Sequence, residues 1–166
     1  SCMDLTPVAQ DQRGSLSTGV RWTIRPAPNS DGRYGRIQAI DLATHKTLWT
    51  ERQRAAQTSG VLATAGGLVF AGAIDRWFTA YDDATGKPLW RSRLSDVPSA
   101  APITYAVNGK QYVAMVVGYG SAQAMTFPML TPEIDLPITR SAAIAVADSL
   151  PVSIRYFAYR QRFFAS

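Results

Sequence analysis

Two eleven-residue stretches constrain what this chain can fold into more than any other feature. AIDLATHKTLW, residues 39–49, and AYDDATGKPLW, residues 80–90, agree at seven of eleven positions with a constant offset of 41 residues. The shared residues are Ala39, Asp41, Ala43, Thr44, Lys46, Leu48 and Trp49 against Ala80, Asp82, Ala84, Thr85, Lys87, Leu89 and Trp90. A fixed period of this size means that each unit is one supersecondary element that buries its apolar faces against its copies.

The residue types say which element. Phe78-Thr79-Ala80-Tyr81 alternates like a strand. Asp82-Asp83-Ala84-Thr85-Gly86 is turn chemistry, because Asp bonds its own backbone and Gly supplies a positive φ. Lys87-Pro88-Leu89-Trp90 reads as the returning edge strand, where Pro is tolerated. The large Trp is expected to bridge to the neighbouring unit, with the Asp-Thr turn holding the corner. Upstream, Gly66-Gly67 and Asn108-Gly109-Lys110 each sit between two apolar runs, which is the signal of a hairpin. Each unit therefore reads as a hairpin, a third strand, a turn and a fourth strand, the four-stranded antiparallel blade of a β-propeller.

This predicts an all-β chain of propeller blades. Residues 20–51 are the end of one blade, 61–91 a complete blade and 101–147 the start of a last one, with 143–147 its third strand. Residues 26–32 form an inserted loop, and 126–137, with Pro128, Pro132 and Pro137, a long loop in the last blade. Residues 1–150 together make a partial propeller, and 151–166 a basic, aromatic tail. Two or three blades cannot close a ring, and open sheet edges are a liability. The expectation is a fragment of a larger propeller, with any export signal outside these residues.

Bulk numbers remove other classes. With 46% apolar and 17% charged residues the chain is globular rather than disordered. The net charge is +5, but the basic residues are scattered and no nucleic-acid-binding motif accompanies them, so a nucleic-acid partner is not expected. A single Cys2 and a single His45 exclude an internal disulfide and a zinc cluster. There is no apolar run long enough to span a bilayer. The tail places Ile154, Phe157 and Phe164 on one helical face, interrupted by Gln161; membrane association is not expected of it, and it reads as a divergent terminus.

The run TSGVLATAGGLVFAGAIDRWFTAYDDATGKPLW, residues 58–90, and PITYAVNGKQYVAMVVGYG, residues 102–120, resemble the C-terminal blades of pyrroloquinoline quinone (PQQ)-dependent alcohol dehydrogenases. CMDL and RPAPNSDGRYGRIQAIDL resemble the blade before them. The resemblance implies an eight-bladed periplasmic propeller with PQQ and Ca²⁺ or a lanthanide on its axis. It also implies a small-molecule alcohol or polyol substrate, hydride transfer to the quinone and a cytochrome c electron acceptor. It places the metal ligands, the cysteine pair over the quinone, the stacked Trp and the base Asp in the missing N-terminal blades. No catalytic or metal-binding residue is expected within this chain, and the fragment alone is expected to be inactive.

Two segments are the candidate cofactor contacts. Thr58-Ser59-Gly60 enters the innermost strand of its blade, where relatives place an aromatic followed by glycines; Thr58 departs from that pattern. Gly118-Tyr119-Gly120 follows the last long strand, where relatives have a glycine-rich turn, and Tyr119 is the candidate aromatic. Strand-end turn chemistry is the plainer reading of both. His45 replaces Gly86 in the repeat and reads as a solvated turn residue, and Asp82-Asp83 as a corner rather than a metal pair. A second function remains open from the corner motifs alone: a non-catalytic propeller scaffold that binds partner proteins in outer-membrane assembly. The 108–120 hairpin and its glycine turn favour the enzyme.

Overall fold

The computed structural model describes residues 1–9, 19–118, 126–136 and 143–147. Eleven strands carry the described part. Strands β1 (Cys2–Pro7) and β2 (Val20–Arg25) form one antiparallel hairpin, and β3 (Gly35–Ile40) and β4 (Thr47–Gln53) another. Strands β5 (Leu62–Thr64), β6 (Leu68–Gly72), β7 (Trp77–Asp82) and β8 (Pro88–Arg93) form a four-stranded antiparallel sheet in sequence order. In the third unit β9 (Ile103–Val107) and β11 (Ala143–Ala147) flank β10 (Lys110–Val117). These are antiparallel propeller sheets: β3–β4 belong to the first blade, β5–β8 form the second and β9–β11 the third, while β1 and β2 pair with each other in a sheet of their own. Strand β1 is an addition to the sequence reading, which began its first blade at residue 20.

Turn chemistry sets the hairpins. Asn108 and Gly109 take φ 49° and 73°, the paired positive values of a two-residue turn whose twist matches its strands. Ala143–Ala147 pairs with Val113–Val117 in unbroken register, so the chain returns to β10 across the long loop. The repeat extends to a defect. The ladder is bulged between Ala39 and Ile40 in one unit and between Ala80 and Tyr81 in the next, 41 residues on.

Period-two alternation then builds the wedge. Every residue of β6 is buried, because both faces of the second blade are covered. Leu68, Phe70, Phe78 and Ala80 pack on Val113, Met115 and Val117 of the third blade. Val69, Ala71 and Tyr81, on the opposite face, pack on Ile37 and Trp49 of the first. Each large apolar side chain so buried contributes about 1.5–3 kcal/mol. Phe70 and Phe78 stack at 5.7 Å, and Trp90 meets Phe78 edge-on at 6.3 Å.

The polar corners are closed by their own side chains. Asp82 Oδ1 accepts from the backbone N of Thr85 (2.8 Å) and from its hydroxyl (2.7 Å). Asp41 Oδ1 accepts from the backbone N of Ala43 (2.8 Å) and Thr44 (2.9 Å). These bonds hold both carboxyls below the ordinary Asp range, led by Thr85's hydroxyl at Asp82 and Thr44's backbone N at Asp41. Trp49 lies on the second blade's corner, its Nε1 donating to Asp83 O at 2.7 Å and its ring against Gly86. The Trp and the polar turn go together at the first interface because Trp49 takes the next unit's turn as its seat.

A third cluster closes one end of the blades. Ala55, Ala56, Ala73, Ile74 and Val97 are buried beneath Tyr34, Phe127, Ile134 and Leu136. The last three belong to residues 126–136, a strap that starts with the 3₁₀ turn Phe127–Met129.

Candidate functional site

The segment leaving β4 is threaded into the end of β6. Gln57 bridges Ala73, and Ile74 N donates to Ala56 O at 2.9 Å. The backbone N–H groups of Thr58 and Ser59 both donate to Gly72 O, at 3.2 and 3.1 Å. Ser59 Oγ accepts from Gly72 N (2.7 Å) and donates to Gly60 O (2.6 Å), so its hydroxyl is fully used. Thr58 Oγ1 and Gln57 Oε1 are buried without a partner. A buried polar group left unpaired costs about 1–3 kcal/mol, so both atoms are open to a polar partner here, as Arg76 Nε and Asp96 Oδ2 are elsewhere.

The glycines here are explained by the next blade. A Cβ on Gly60 would stand 2.7 Å from Ala101 Cβ, and one on Gly72 would stand 2.7 Å from Pro98 Cγ. The close approach is between backbones of adjacent wedges, which only Gly permits.

One blade on, the arrangement repeats. Pro98 bridges Val117, Ser99 N donates to Val116 O (3.1 Å), and Gly118 N donates to Val97 O (2.8 Å). Gly118 takes φ 147°, a conformation that other residues rarely adopt. The structure thus brings Thr58, Ser59, Gly60 and Gly118 to the same end of neighbouring blades, with Gly72 and Pro98 between them. Tyr119 and Gly120 lie outside the described residues, as do 151–166.

Around this end the side chains are charged. Arg54 donates from Nε to Glu133 Oε1 (2.7 Å), from Nη2 to Glu133 Oε2 (3.2 Å) and Leu130 O (2.9 Å), and from Nη1 to Gly32 O (2.6 Å). Its guanidinium also stands 5.1 Å from the centre of the Tyr34 ring. The pairing holds Glu133 below the ordinary carboxylate range. Arg52 pairs with Asp31 at 2.8 Å, and the backbone N of Arg33, ahead of the Arg52 charge, lowers the Asp31 pKa. A cavity of about 530 Å³ opens among Tyr34, Arg36, Arg52, Ala56, Gln57 and Phe127. Sequence reasoning missed Arg54 and Glu133, which stand 79 residues apart. One signal was available: the residue 41 positions after Arg54 is Ser95, so Arg54 breaks the repeat.

Among the described residues no three His, Cys, Asp or Glu side chains gather where a metal could bind. The donors at the blade entry, a threonine hydroxyl and an amide oxygen, are neutral. They suit the polar edge of an organic cofactor rather than a hard cation, which requires several oxygen ligands together.

The PQQ family described as the β-propeller domain of glucose, ethanol and alcohol dehydrogenases matches residues 6–113. The 1-butanol dehydrogenase (cytochrome c) of Thauera butanivorans is 36% identical over 115 residues, covering 67% of this chain and 17% of that protein. Subunit 1 of the methanol dehydrogenase (cytochrome c) of Methylobacterium organophilum is 36% identical over 124 residues, 72% of this chain and 20% of that protein. A solved europium-containing methanol dehydrogenase superposes with a TM-score of 0.64 at 28% identity, over 77% of this chain and 26% of that chain. The chain thus spans 17–20% of the length of these curated relatives. It belongs to the PQQ β-propeller family of glucose, ethanol and alcohol dehydrogenases.

Proposed function

We propose that these blades are the C-terminal part of a periplasmic PQQ-dependent dehydrogenase that oxidises an alcohol or polyol and passes the electrons to a cytochrome c. The observation that carries this reading is the match of residues 6–113 to a family described by its glucose, ethanol and alcohol dehydrogenases. When bound with Ca²⁺ or a lanthanide, PQQ supplies the hydride acceptor, and the metal polarises its reacting carbonyl. The chain's own share is positioning. Thr58 and Gln57 would hold the cofactor's polar edge with the two unpaired atoms at the blade entry. Ser59, Gly60 and Gly118 fix the backbone there. The metal ligands and the base come from blades outside this chain.

Open faces support the placement beside further blades. Ile103, Tyr105, Val107 and Val116 on the outer face of the third blade are 39–60% exposed. On the first blade Ile40 is 45% exposed, whereas Tyr81, its counterpart 41 residues on, is 2% exposed because a neighbouring blade covers it. The remaining blades of the parent ring are the partners that such faces fit.

Alcohol-dependent dye reduction tests the reading. The full-length parent chain with PQQ and either Ca²⁺ or a lanthanide is expected to turn over, and residues 1–166 alone are not. A parent chain inactive with both metals refutes the enzyme reading, and turnover by the fragment refutes the assignment of the chemistry to other blades.

A further inference from the structure

We propose that Arg54 and Glu133 form a latch that holds residues 126–136 as a lid over the blade ends and over the cavity beside Gln57. The strap is seated with Leu130 and Thr131 buried. Its own backbone bonds are local, from Leu130 N to Phe127 O, Thr131 N to Pro128 O and Ile134 N to Thr131 O. Its apolar grip is Phe127, Ile134 and Leu136 on the small side chains Ala55, Ala56 and Ala73, with Ile74 and Val97. Arg54 adds a directional hold at two points of the strap, Leu130 O and the Glu133 carboxylate.

The same guanidinium bonds Gly32 O and faces Tyr34, so it joins the strap to the loop inserted into the first blade. Two segments far apart in sequence are thereby closed over one end of the propeller by one side chain. An exposed ion pair alone holds little. Here a planar fork with four bonds is spread over two segments and three residues, the geometry in which Arg is most effective. Phe127 is both a strap residue and a wall of the cavity, next to Ala56 and Gln57. Lifting the strap would therefore open that wall and bare the alanine cluster beneath it.

The latch is independent of the proposed catalysis and can be tested without turnover. Hydrogen exchange followed by mass spectrometry on the full chain reads the strap and the β6–β7 core separately. Glu133→Gln removes the charge but keeps the carbonyl contacts, and Arg54→Met removes all of them. Exchange at 126–136 is expected to rise roughly 3- to 10-fold in Glu133→Gln and further in Arg54→Met, with β6 and β7 unchanged. Raising the salt from about 0.05 M to 0.5 M is expected to speed strap exchange in the wild-type chain, because the pair is half exposed and screened. Strap exchange unchanged in Glu133→Gln, or rising equally in β6 and β7, overturns the latch. Glu133→Gln keeps the fold even if Arg54→Met does not.

Discussion

Gly86→Ala isolates the contact that joins the first two blades. Gly86 has φ 72°, and a Cβ there would lie 2.6 Å from Trp49 Cδ2. Two costs follow. An L residue in the left-handed region costs about 1–2 kcal/mol. Moving the indole off its seat also weakens the Trp49 Nε1–H bond to Asp83 O, worth about 0.5–1.5 kcal/mol, together with some ring packing. The sum is about 2–4 kcal/mol, read as a lower urea midpoint.

The two costs can be told apart. In a Trp49→Ala background the ring is absent and only the backbone cost of about 1–2 kcal/mol remains. The protein contains its own control, because His45, at the same place in the preceding unit, has φ 56° with a side chain present. The left-handed conformation is therefore tolerated in this corner, and the further penalty at Gly86 comes from the indole. An equal loss from Gly86→Ala with and without Trp49 would refute the reasoning.

Three further outcomes are expected. Phe70→Ala, at 1% exposure between the second and third blades, should cost about 3–5 kcal/mol in a denaturation experiment. Gly72→Ala, whose Cβ meets Pro98 at 2.7 Å, should destabilise more than Gly109→Ala, whose Cβ meets nothing within 4 Å and whose only cost is its left-handed φ of 73°, about 1–2 kcal/mol; a smaller melting-temperature loss at Gly72 would contradict the wedge contact. Burial raises the Asp75 pKa above the ordinary range. The folded state then binds that proton more tightly than the unfolded state, so stability falls as pH rises through and above about 4. Asp75→Asn keeps an acceptor for Trp77 N and should melt higher than wild type at pH 7, with the gain shrinking as pH falls toward about 4 and absent below it.

How much was legible depended on how local the cause was. The Asp-Thr corner and the Asn108-Gly109 turn each follow from residues within a few positions of one another, and both are in the structure. The seat of Trp49 on the next corner was readable because the repeat supplied the second copy. Strand β1 was not, because Met3 and Leu5 are 55% and 64% exposed and leave no buried stripe to read. Gly60, a candidate cofactor contact in the sequence, also leaves room for Ala101 of the next blade, which no local pattern shows. The Arg54–Glu133 pair depends on a loop closure that no local pattern encodes.

The two units differ most where function is expected. Residues 39–49 and 80–90 share seven of eleven residues, and these build the corner and seat the Trp. Residues 53–60 and their counterparts 94–101, again 41 apart, share none of eight. Yet the backbones there are used alike: Ile74 N bonds Ala56 O as Gly118 N bonds Val97 O. Same path with different side chains means that packing fixes the backbone at this end and leaves the side chains free to vary. Arg54 becomes Ser95, Gln57 becomes Pro98 and Thr58 becomes Ser99. In the first set lie the latch cation and the unpaired Gln57 and Thr58 oxygens, and the second holds its own unpaired oxygen at Asp96. In the second lies Pro98, which fills the gap beside Gly72. A repeat that holds its wedge by identity and diverges at one end has one place to differentiate, and that end carries the cavity, the strap and the candidate cofactor contacts.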